Sequence, residues 1–112
     1  MPRPRKPRFV QGRPIVDAFV PSRTPPWGRE EVTLPIEGLE AIKLNDFRGL
    51  DQETAARMMN VSRQTFGRIL AEARAIVADA LVMGKIHRIE GGNFDMSPRE
   101  RGRHRRGWGG GF

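Results

Sequence analysis

From Thr33 onward, apolar residues recur at steps of three and four. Thr33-Leu34-Pro35 predicts a helix start, with Pro in the first turn, where its missing N–H leaves no intrahelical bond unmade. Ile36, Leu39 and Ile42 follow at helical spacing, Leu44 and Phe47 extend the apolar surface, and Gly49 marks a stop. Asp51 is a natural N-cap for a second helix of about two turns through Thr54-Ala55-Ala56-Arg57-Met58-Met59. Asn60 stands where a left-handed turn residue is wanted, a conformation Asn tolerates better than most. Ser62 then caps a third helix. Its stripe, Phe66, Ile69, Leu70, Ala73, Ile76, Val77, Ala80 and Leu81, runs for about five turns and stops at Gly84.

Short alternating runs flank this block. Glu31-Val32-Thr33-Leu34 and Lys85-Ile86-His87-Arg88-Ile89-Glu90 read as strands that could pair within one chain or between two, and Ile15 to Val20 as a third. The expected fold is therefore mainly α: a three-helix core with short flanking β pieces and flexible basic termini.

The second and third helices have the spacing of a helix-turn-helix. In a twenty-residue window opened at Gln52, the fourth, eighth, tenth, fifteenth and eighteenth places are Ala55, Met59, Val61, Phe66 and Ile69, all apolar. The fifth, where the helices touch most closely, is the small Ala56, and the ninth, where the chain bends, is Asn60 in place of the commoner Gly. Two short helices cross steeply only if the crossing point is small and the inner faces are apolar. That geometry projects the second of them outward, towards a major groove.

On the outward face of that helix stand Arg63, Gln64, Gly67, Arg68 and Ala71, with Thr65 at the edge. Arg pairs bidentately with guanine and Gln with adenine, so Arg63, Gln64, Thr65 and Arg68 are the expected base contacts. Gln52, Ser62 and Arg74, with Arg3, Arg5, Lys6 and Arg8 in front, are the expected contacts to the phosphate backbone. Gly67 costs the helix about 1 kcal/mol relative to Ala, which closer approach to a groove would offset. The stripe is longer than one short partner helix can cover. Ile76, Val77, Ala80 and Leu81 are thus expected either to join two subunits about a two-fold axis or to pack on Ile36, Leu39 and Ile42 or under the strands.

Charge sharpens this picture. The 112 residues carry 20 Lys+Arg against 13 Asp+Glu, a formal charge of +7 and a pI near 11.4. Residues 1–28 hold Arg3, Arg5, Lys6, Arg8, Arg13 and Arg23 against Asp17 alone, and residues 91–112 hold five Arg against two acids. Residues 29–90 are close to neutral. The basic ends are also where Pro and Gly concentrate, a composition that resists ordering until a partner binds. The expected organisation is a basic Pro-rich arm over 1–28, a helix-turn-helix domain over 29–94 and an Arg/Gly-rich disordered tail over 95–112. A polyanion is the favoured partner: double-stranded DNA first, with RNA or single-stranded nucleic acid through the tail as the main rival. An adaptor that binds the transcription machinery is a third reading, with no direct residue support.

Other classes find little footing. No cysteine is present, so disulfides, thiolate nucleophiles and Cys-bound metals are excluded. No apolar run approaches the roughly 18 residues of a membrane span, and the basic start has no apolar stretch behind it, so a cytoplasmic, nucleoid-associated protein is expected. His87 and His104 lie far apart, and neither a phosphate loop, a Gly-x-Ser-x-Gly nor a paired-His metal motif occurs. Neither an enzyme nor a cofactor is expected. Glu37 and Glu40 share a helix face and are expected to be solvated.

The stretch from Leu34 to Arg74 resembles the region-four helix-turn-helix of sigma-seventy-type factors, above all in Gly49-Leu50-Asp51-Gln52-Glu53 and Val61-Ser62-Arg63-Gln64-Thr65-Phe66. Through residue 94 the chain resembles domain-of-unknown-function family 134, small prokaryotic predicted DNA-binding proteins. The matching pieces are Met1-Pro2-Arg3-Pro4-Arg5-Lys6, Leu39-Glu40-Ala41-Ile42, Val61 to Leu70, and Gly84-Lys85 with Arg88-Ile89-Glu90-Gly91-Gly92. The resemblance implies a predicted DNA-binding role with no established target; the expected function is a DNA-binding protein that regulates transcription. Some relatives carry cysteines near the front; this chain has none there, so no metal or redox role transfers.

Overall fold

The structure is a computed structural model, and it describes residues 7–23 and 30–96. In chain order the elements are β1 (Arg8–Val10), β2 (Ala18–Phe19), β3 (Glu31–Leu34), α1 (Ile36–Ile42) with a wider π-helical turn over Lys43–Phe47, α2 (Gln52–Met58), α3 (Arg63–Met83), β4 (Ile86–Ile89) and β5 (Phe94–Met96). The fold is mainly helical, with short strands at its edges.

The helices start and stop where local chemistry requires. The Asp51 side chain accepts the Thr54 N–H at 2.7 Å at the start of α2, and the Ser62 hydroxyl oxygen accepts the Thr65 N–H at 3.0 Å at the start of α3. Each satisfies a donor that the helix itself leaves free. Gly84, at φ 68°, ends α3 in the left-handed conformation that glycine adopts without steric cost. Thr33-Leu34 does not begin α1: these residues finish β3, and the helix starts after Pro35. Phe47 was expected on the apolar stripe but is 78% exposed. The last turn widens, with the Arg48 N–H reaching back five residues to the Lys43 carbonyl, and the extra residue swings Phe47 off the buried face.

Two apolar clusters hold the domain together. The first joins α1, its π turn, α2 and the front of α3 through Ala41, Leu44, Ala55, Ala56, Met59, Phe66 and Leu70. The second joins Val10, Leu34, Ile36, Ala73 and Ile89, with Ile76 and Val77 packed against it. Gly38 marks the crossing of α1 and α3, since a Cβ there would meet Leu34 Cδ1 at 2.9 Å and Ala73 Cβ at 3.2 Å.

The second cluster exists because strands from both ends of the chain close over the helices. β3 and β4 pair in parallel, Glu31 opposite Ile86 through Leu34 opposite Ile89, and β2 adds to β4 antiparallel. Separately, β1 and β5 pair in parallel, Arg8 opposite Phe94. Within the arm expected to be flexible over 1–28, Arg8–Val10 and Ala18–Phe19 are instead strands. Arg8 and Val10 point inward, Phe9 lies between them, and Val10 is fully buried. Only two apolar residues mark this strand, and the prolines and arginines around them hide the signal. The expected strand from Ile15 to Val20 shrinks to Ala18–Phe19, with Ile15, Val16 and Val20 exposed. At the rear, β5 runs to Met96, past the boundary expected at 94. Arg3, Arg5, Lys6, Trp27 and the tail beyond Met96 lie outside the described residues.

Glu37 and Glu40 are buried, not solvated. One Glu37 oxygen accepts the Asn93 N–H at 2.8 Å and ties α1 to the Gly91-Gly92 turn. Glu40 lies 3.3 Å from Lys43 Nζ, yet one of its oxygens has no partner, and burial raises its carboxyl above the usual range.

Candidate nucleic-acid interface

The bend between α2 and α3 is built from three backbone choices. The Met59 N–H closes on the Ala55 carbonyl at 3.1 Å, Asn60 turns the chain at φ 60°, and the Val61 N–H returns to the Ala56 carbonyl at 3.0 Å. Asn60 is the non-glycine residue with positive φ among those described, as its place in the sequence pattern required. Below the bend, Ala55, Ala56, Met59 and Phe66 are buried, and Val61 and Ile69 pack on them. Ala56 at the crossing lets the two helices approach, and Phe66 fills the angle between them.

The front of α3 then faces two ways. At about 100° per residue, Phe66, Ile69, Leu70, Ala73, Ile76 and Val77 share an arc of about 120° towards the core. Arg63, Gln64, Gly67, Arg68 and Ala71 span an opposing arc of about 140°. Arg63, Gln64, Arg68 and Ala71 are exposed; Thr65 and Gly67 are half-buried at the edge. The Arg68 guanidinium donates to Thr65 Oγ1 at 3.3 Å, holding it against the first turn. Gly67 is open: a Cβ there would meet nothing closer than Gln52 Oε1 at 3.8 Å. Gln52 therefore sits beside this face, half-buried at the start of α2.

Other expected contacts fall differently. The Arg74 guanidinium donates to both Asp46 oxygens, at 2.6 and 3.2 Å, and to Asn45 Oδ1 at 3.1 Å. It ties α3 to the π turn while its side chain stays about half exposed. Arg8 is not on a loose arm: it is fixed in β1, whose Phe9 N–H donates to the Met59 carbonyl at the bend. The proposed dimer seam also changes. Ile76 and Val77 pack in the second cluster and Ala80 is buried, because β1, β3 and β4 supply the cover that a lone helical core would lack. Leu81 is 77% exposed and stands outside that cluster with Val82 and Met83.

The sequence reading missed Arg57, at the end of α2, and the inward set of Arg8. A basic residue in a helix's last turn is common enough to pass as a response to the helix dipole. Among the described residues, no group of acids and histidines could hold a metal ion, and no helix is long and apolar enough to cross a membrane.

Compared with known proteins, residues 1–97 match the family described as "Protein of unknown function DUF134". A UPF0251 protein of Caldanaerobacter subterraneus is 51% identical over 96% of both chains. Another from Caldicellulosiruptor saccharolyticus is 54% identical over 84% of this chain and 66% of its own. No solved structure matches.

Proposed function

Starting from a chain that belongs to the DUF134 family, we propose that it is a helix-turn-helix protein that binds double-stranded DNA and regulates transcription, with the front of α3 in the major groove. The observation that carries this reading is the exposed set Arg63, Gln64 and Arg68, standing together on the first two turns of a helix fixed by the bend at Asn60. An exposed face of any surface helix is polar, so what favours this reading is the combination of these side chains with the bend and the small Ala56 at the helix crossing. Arg63 and Arg68 suit the acceptors of guanine, Gln64 the donor and acceptor of adenine, and each good bidentate pair discriminates by about 1–3 kcal/mol. Gly67, between them, removes side-chain bulk at the point of closest approach. Ser62, the N-cap of α3, and Gln52, beside Gly67, would meet the flanking phosphates.

Selection of bound duplexes from a random pool tests the reading. It should return a common motif, and Arg63→Ala, Gln64→Ala or Arg68→Ala should relax preference at particular positions of that motif. A pool that comes back random, or a motif indifferent to all three changes, would sink the proposal.

A further inference from the structure

Arg8 is 8% exposed, and its Nε and Nη1 are buried with no hydrogen-bond partner. A guanidinium carries a delocalised charge, so much of that charge is withdrawn from water, and among the described residues no ion pair compensates it. Buried donors of this kind are rare unless something outside the chain completes them. Arg8 forms part of the wall of an open concavity of about 660 Å³, at the bend and the start of α3. Arg57 from α2, Arg68 from α3, and Ser62 and Thr65 line the same hollow. Three cations from three elements thus border it, and among the described residues no carboxylate does. Glu37 and Glu72 line a smaller neighbouring hollow that Arg8 also borders.

Two hydroxyls stand among these cations. Ser62 Oγ lies 3.0 Å from Thr65 Oγ1, and Arg68 donates to the same Thr65 oxygen at 3.3 Å. The positive end of the α3 dipole faces the same place.

We infer that this concavity is a phosphate site, with Arg8 as its buried anchor and Arg57, Arg68 and the Thr65 hydroxyl closing round the group. Divergent donors on several sides match the tetrahedral oxygens of a phosphate better than the two coplanar oxygens of a carboxylate. The phosphate comes either from a nucleic-acid backbone or from a free phosphorylated molecule. The site stands on Arg8 and does not require that α3 read bases.

The test uses the full chain, with inorganic phosphate and pyrophosphate as probes against chloride at matched ionic strength. Phosphate should raise the melting temperature beyond chloride, and Arg68→Ala should weaken its binding about tenfold. Arg8→Met should abolish the phosphate-dependent rise while melting above the wild type in chloride, because it removes an unpaired buried charge. No phosphate-dependent shift in the wild type, or an undiminished one in Arg8→Met, would overturn the site. Should Arg8→Met fail to fold, an undiminished response in both Arg68→Ala and Arg57→Ala would do the same. A random-sequence duplex then separates the sources. If it displaces phosphate, and Arg8→Met weakens duplex binding alike for all sequences, the ligand is a backbone phosphate. If the free ion binds and the duplex does not displace it, the ligand is a small phosphorylated molecule. Loss of the site with a selected motif still read through Arg63 and Gln64 would leave the DNA reading intact. Phosphate binding without any duplex binding would remove that reading alone.

Discussion

Asn60 carries the bend between α2 and α3, and its replacement separates backbone conformation from every other contribution. The residue is exposed, so little packing is lost when its side chain changes. Its φ of 60° places it in the region where a Cβ meets the neighbouring carbonyl, at about 1–2 kcal/mol for an ordinary L-residue. Asn60→Ala should therefore lower stability by about 1–2 kcal/mol. A β-branched Asn60→Val should lie at the upper end of that range or above it. Asn60→Gly removes the steric penalty but gives the unfolded chain more freedom, worth about 0.4–1 kcal/mol in the opposite direction. It should therefore fall within about 1 kcal/mol of the wild type. In a domain of this size 1 kcal/mol moves the melting temperature by about 4–8 °C, so Ala and Gly should melt several degrees apart. Urea denaturation followed by circular dichroism, with equal m-values across the three variants, gives the ordering Gly above Ala above Val. If Ala and Val match Gly, the chain does not bend through a left-handed residue here, and the placement of α3 loses its basis.

Gly67→Ala should stabilise the fold by about 0.5–1 kcal/mol, since a Cβ fits there, yet weaken duplex binding if the outward face meets a groove. Phe66→Ala should cost about 3–5 kcal/mol in urea denaturation, whereas Leu81→Lys should stay within about 0.5 kcal/mol, because Phe66 is fully buried and Leu81 is not. The burial of Glu40 gives a pH dependence of definite sign. Its folded carboxyl titrates above the unfolded value of 4.5, so its contribution is most favourable below that value and is lost as pH rises through the folded pKa. Glu40→Gln, which fixes the neutral form, should therefore raise the urea midpoint at neutral pH and lose that advantage below about pH 4.5.

The helices were legible from the sequence because their signals are local: caps at Asp51 and Ser62, a left-handed residue at Asn60, and a glycine stop at Gly84. The inner positions of α2 and α3 were legible because a bend of this kind admits few residue types at its crossing. What escaped depended on contacts distant in the chain. Arg8-Phe9-Val10 becomes a strand only because Phe94-Asp95-Met96 lies beside it, and nothing within its own three residues says so. Of the two covers expected for Ile76 and Val77, a second subunit or α1 and the strands, the structure supplies the second, through Val10, Leu34, Ile36 and Ile89. Arg74 is exposed as its place on the helix implies, but its ion pair with Asp46 depends on the π turn and carried no local signal. Glu37 and Glu40 read as solvated because a carboxylate on an amphipathic helix usually is; the turn at Gly91-Gly92 supplies a partner to Glu37, and Lys43 meets the need of Glu40 only in part.

Titration of isotopically labelled protein with a selected duplex, followed by amide chemical shifts, tests most directly whether the front of α3 meets DNA. The largest changes should fall at Val61 to Arg68 and at Gln52, with Leu81 to Met83 and the β3–β4 pair unmoved. Changes confined to other surfaces, with Arg63, Gln64 and Arg68 silent at saturation, would contradict that contact.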